Sequence, residues 1–161
     1  MSEQQTSPNA AEITTPAERE IRIERVFEAD RERVFAAFTD PKLIPEWWGA
    51  RDDTTIVEEM HVQPGGRWRY VCRGPESEDV FSGMYREVSP PERLVYTFEF
   101  GGMPGHVIIE DVAFEDLGGR TKVVNISYFH TPEERDGMLA SGMEGGLNET
   151  YERLDELLAR G

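Results

Sequence analysis

The sequence predicts an α+β domain in which seven antiparallel strands wrap around one long C-terminal helix, with two short helices after the first strand. Three observations carry this reading. Between residues 55 and 129 six extended runs alternate with turn residues, and the connections are too short for helical crossovers. From Met143 onward Leu147, Tyr151, Leu154 and Leu158 recur at three- or four-residue spacing, the period of a helix with one apolar face. The chain has 161 residues, 38% of them hydrophobic and 10% aromatic, enough for one domain with a full core.

The elements follow in order. Residues 1–18 are rich in Gln, Ser, Thr, Pro, Ala and Glu, a composition that favours a mobile tail, so the domain is expected to span 19–161. Over 20–28, Ile21, Ile23 and Phe27 alternate with charged residues as in a half-buried strand, and Arg25 interrupts the apolar set. Asp30 is placed to cap a helix carrying Val34, Phe35 and Phe38. Asp40-Pro41 repeats that start for a shorter helix, expected to end near Pro45, with Trp47 and Trp48 directly after it. Strands are then expected at 55–62, 67–73, 80–88, 93–100, 107–114 and 121–129, joined as a meander. Thr131-Pro132-Glu133-Glu134 opens a terminal helical region that Gly137 and Ser141-Gly142 are expected to break or kink.

Charge and composition exclude several functions. Seventeen Lys and Arg against 32 Asp and Glu give a net charge of -15, which opposes phosphate backbones, so no nucleic-acid partner is expected. The lone Cys72 fits a reducing compartment. With neither a secretion signal nor an apolar run long enough to span a bilayer, a cytoplasmic protein is expected. His61, His106 and His130 lack metal-ligand spacing, and no nucleophile elbow, P-loop or dinucleotide fingerprint occurs. No metal and no cofactor are expected.

The candidate residues suit a binding cavity. Trp47 and Trp48 either stack on a ligand at a cavity mouth or pack the short helices against the sheet. Trp68, Tyr70 and Cys72 share one strand face, with Arg67, Arg69 and Arg73 on the other, solvated face. Tyr96 and Phe98 extend the aromatic wall. Arg25 grips an anionic ligand head, forms a structural ion pair, or snorkels its charged end to water. Asn125 and Ser127 are polar anchors if they face inward; otherwise Val124, Ile126 and Tyr128 do. Gly142 and Gly146, one turn apart beside Met143, leave a bare stripe on the last helix that makes room for a ligand or for close packing. Glu58 and Glu110 are general bases if buried, but isolated glutamates in alternating strands are expected at the surface.

Several segments together resemble the SRPBCC superfamily, in the branch similar to activator of heat-shock protein 90 ATPase homologues. They are Phe27 to Phe35, Phe38-Thr39-Asp40-Pro41, Trp47-Trp48-Gly49, Pro64 to Trp68, Val88 to Tyr96, and Gly142 to Leu158, covering roughly Glu20 to Arg160 in the family's order. The resemblance implies the helix-grip, or START-like, fold with a hydrophobic cavity between sheet and C-terminal helix. Relatives include lipid and sterol carriers, polyketide cyclases and co-chaperone domains, so a shared scaffold does not select the activity. The expectation is noncatalytic binding of a small hydrophobic or aromatic molecule. The alternatives are a cyclase or hydrolase on polyketide-like material and an interaction module with a chaperone partner, with a homodimer as one assembly.

Overall fold

The computed structural model describes residues 10–160. Among these residues one antiparallel sheet holds eight strands in the order β1-β2-β8-β7-β6-β5-β4-β3. These are β1 (Glu12–Thr14), β2 (Glu20–Phe27), β3 (Thr54–Met60), β4 (Arg67–Arg73), β5 (Glu78–Ser89), β6 (Arg93–Phe100), β7 (Val107–Asp116) and β8 (Thr121–Tyr128). The meander of β3 to β8 and both boundaries of β4 and β6 are as expected. The sheet is one strand wider than the expected seven.

The additional strand corrects the reading of 1–18 as a tail. Ile13 pairs with Ile23 of β2, Ala11 is buried in the core, and the Ala11 amide donates to Asn148 Oδ1 at 3.0 Å. Two apolar residues and one edge pairing anchor this segment despite its polar composition. The first nine residues of the expected tail lie outside the described residues.

Among the described residues, four helices complete the fold: α1 (Arg31–Thr39), α2 (Ile44–Trp47), α3 (Pro132–Ala140) and α4 (Met143–Ala159). Asp30 caps α1 by accepting from the Arg33 amide at 2.9 Å. Pro45 sits in the first turn of α2 instead of ending it, because an amide hydrogen is dispensable there. Likewise Gly137 lies inside α3, and the chain breaks only at Gly142, whose φ of 82° caps the start of α4.

Every second residue of β2 is buried, namely Ile21, Ile23, Arg25 and Phe27. This row meets the buried face of α4, made by Tyr151, Leu154 and Leu158, with the Phe27 and Tyr151 rings edge-on at 5.2 Å. Arg25 is tied to the helix by two bonds to the Asp155 carboxylate, at 2.9 and 2.7 Å. No helix among the described residues is long and apolar enough to cross a membrane.

Candidate ligand cavity

A cavity of about 430 Å³ opens between the concave sheet face and α4. Alternation along the strands sets its walls. On β4 Trp68, Tyr70 and Cys72 face in, while Arg69 and Arg73 face solvent, paired at 2.7 Å with Glu58 and Glu78. Tyr96 and Phe98 of β6 and Phe81 and Tyr85 of β5 continue the aromatic wall. Gly83 has to be glycine, since a Cβ there would lie 1.8 Å from the Thr97 carbonyl oxygen that accepts the Trp68 indole N–H.

The two adjacent tryptophans divide the roles left open by the sequence. Trp47 is 3% exposed and donates its indole N–H to the Ala37 carbonyl at 2.9 Å, so it fixes α2 to α1 while one edge reaches the cavity. Trp48 is half-buried and packs edge-on against Tyr70 and Phe81, at 5.0 and 5.1 Å between ring centroids. Around the mouth stand Ala50, Asp53, Asp79, Gly146, Leu147 and Thr150. A Cβ on Gly146 would meet nothing within 4 Å.

Asn125 and Ser127 face inward with Val123, and Tyr128 is exposed on the other side of β8. Ser127 does not reach the cavity wall. Its hydroxyl donates to Glu110 Oε1 at 2.6 Å, and it is Glu110 that lines the cavity. Glu110 is therefore the functional candidate that sequence reasoning misplaced at the surface. Its signal was present, because Ile108, Glu110, Val112 and Phe114 occupy one register of β7 and the other three are buried. Glu58, by contrast, is exposed as expected.

Burial, opposed by hydrogen bonds from Ser127 and Asn125, raises the Glu110 carboxyl from its ordinary 4.5 to about 7. Glu110 is half-buried and lines the cavity, so it is surrounded by protein without being sealed. The groups facing it are Ser127 and Asn125 of β8, Tyr96 of β6 and Tyr151 of α4, with Arg25 beyond Tyr151 on Asp155. Burial raises both phenols, so each keeps its proton at neutral pH. The Tyr85 phenol is pushed up to about 12, also by burial. Cys72 is likewise a neutral thiol, raised chiefly by burial. Asn125 Oδ1, a buried atom, has no hydrogen-bond partner among the described residues.

Of the expected site residues, Trp47, Trp48, Trp68, Tyr70, Tyr96, Phe98, Asn125 and Gly146 come together on this wall. Arg25, Ser127, Gly142 and Met143 do not. Arg25 is committed to Asp155, Ser127 stands behind Glu110, Gly142 is a helix cap, and Met143 packs against the core. The bare stripe on α4 thus reduces to Gly146.

Residues 28–159 match the family model described as Activator of Hsp90 ATPase homolog 1-like protein. A crystal structure of a Rhodobacter sphaeroides protein superposes with a TM-score of 0.88 at 28% identity, over 94% of this chain and 99% of that one. A solution structure from Arthrobacter aurescens gives 0.85 at 27% identity, covering 94% and 93%. Another from Staphylococcus epidermidis gives 0.81 at 25% identity, covering 91% and 93%. No curated protein matches the sequence.

Proposed function

Because the chain belongs to the family of activator of Hsp90 ATPase homolog 1-like proteins, within the SRPBCC superfamily, we propose that it encloses one small hydrophobic or aromatic molecule without transforming it. The observation that carries this reading is the open volume of about 430 Å³ with ten aromatic side chains on its wall. Small-molecule sites occupy roughly 300 to 1,000 Å³ and are lined by aromatic and apolar groups with a few polar ones. A chain that needed only a core would have filled such space, since interiors are packed like organic crystals.

Saturable uptake of the neutral probe N-phenyl-1-naphthylamine, at one molecule per chain, is the expected result. Gly146→Leu should weaken that uptake while leaving the fold intact, because the new side chain enters open space at the mouth and leucine favours a helix over glycine by about 0.8 kcal/mol. Undiminished binding in the variant, or no uptake by the parent protein, argues against the cavity as the site.

Glu110 favours a second reading. A carboxyl that titrates near neutrality within an apolar cavity is suited to general acid–base catalysis. That reading requires a bound substrate to be recovered chemically changed, and Glu110→Gln to stop the change while binding persists. Mass spectrometry of the extracted molecule before and after incubation separates the two.

A further inference from the structure

Resting on the binding reading above, we infer that the ligand is a lipophilic organic cation, an aromatic or alicyclic amine whose ammonium group meets the Glu110 carboxylate and the surrounding ring faces. The argument starts from the charges on the wall. Three carboxylates line the cavity, Asp53 and Asp79 near the mouth and Glu110 within, and among the described residues no Lys, Arg or His lines it. Arg153, behind the mouth, spends its guanidinium on the carbonyls of Gly49, Ala50 and Glu46. Arg51 is held by Glu156. An anionic ligand head would therefore meet carboxylates on the wall, while the charge of Arg153 acts only from behind it, at Cys72.

The aromatic wall acts in the same sense. Ring faces carry negative electrostatic potential, and ammonium groups are held in boxes of such faces. Trp48, Trp68, Tyr70, Phe81, Tyr96 and Phe98 form one connected cluster, with centroid separations of 4.7 to 5.9 Å among neighbouring pairs. Glu110 lies beside this cluster, paired across the sheet with Tyr96 on one side and Ser127 on the other. Ser127 and Asn125 supply neutral donors to its carboxylate. Among the described residues the wall holds no counter-charge to favour ionisation, and a bound ammonium supplies one.

Three probes on one naphthalene scaffold test this: naphthalen-2-ylmethylammonium, naphthalen-2-ylmethanol and naphthalene-2-carboxylate, titrated calorimetrically at pH 8. The ammonium should bind about tenfold or more tighter than the alcohol, and the carboxylate weaker than either. Glu110→Gln should remove most of the ammonium's advantage over the alcohol and change the alcohol's own affinity far less. Asp79→Asn, at the mouth, is the second variant and should weaken the ammonium alone, by a smaller factor. Equal or tighter binding of the alcohol or carboxylate overturns the cation assignment while the cavity stands as a binding site. Failure of all three, together with N-phenyl-1-naphthylamine, removes both readings.

Discussion

A carboxyl group held within an aromatic cavity costs folding free energy whenever it ionises. Glu110 binds its proton up to about pH 7 in the folded chain but only up to about 4.5 when unfolded. Between those values the folded state holds more protons, so this residue's effect is to lower stability as pH rises, and the loss is complete above pH 7. A shift of that size corresponds to roughly 3 kcal/mol at most, and access of the cavity to water reduces it. Glu110→Gln keeps an oxygen to accept from Ser127 and removes the charge. The variant should therefore be more stable than the parent by about 1 to 3 kcal/mol at pH 8 and about equal at pH 4.5, as urea midpoints would read. A gain of the same size at both values would assign the effect to packing. Arg25 and Glu110 gave the same signal, a charged residue in an apolar register. For Arg25 the inward position was inferred correctly, but its partner Asp155 lies 130 positions away and no local pattern connects them. For Glu110 the rarity of buried glutamate outweighed the register.

At the level of elements, turn residues on either side made β4 and β6 legible to the residue, and on β4 the buried Trp68, Tyr70 and Cys72 alternate with the exposed Arg67, Arg69 and Arg73, Val71 alone of the outward set being buried. Inward and outward sets on β8 were ambiguous because both contain apolar residues, and pairing with β2 decides between them by setting Asn125 opposite the buried Ile23. The short β1 left almost no signal. Its three residues pair with β2 and the neighbouring Ala11 amide bonds to Asn148, contacts that composition does not report. Ala11→Asp tests whether that strand is part of the domain. A carboxylate in a position 6% exposed, beside the core, should cost about 2 kcal/mol or more and lower the melting temperature by about 4 to 8 °C. An unchanged melting temperature would restore the reading of this segment as a tail. The same measurement on Glu12→Ala, an exposed position of the strand, should show almost no change.

Across the whole molecule, the net charge of -15 sets self-repulsion against a series of surface ion pairs. Arg69 with Glu58, Arg73 with Glu78 and Arg51 with Glu156 are each about half exposed on both sides. Such pairs contribute about 0 to 1 kcal/mol apiece, and salt weakens them. Repulsion among the excess carboxylates acts over the whole domain, whose radius of gyration is about 15 Å for this length. The screening distance falls from about 30 Å at 0.01 M salt to about 8 Å at 0.15 M, from longer than that radius to shorter than it. Repulsion is thus the larger quantity lost on adding salt. The melting temperature should rise over that interval at pH 8, and a fall would mean that the ion pairs dominate. Glu110→Gln should show nearly the same rise, because the cost of its buried charge is desolvation, which dissolved ions outside the cavity do not relieve.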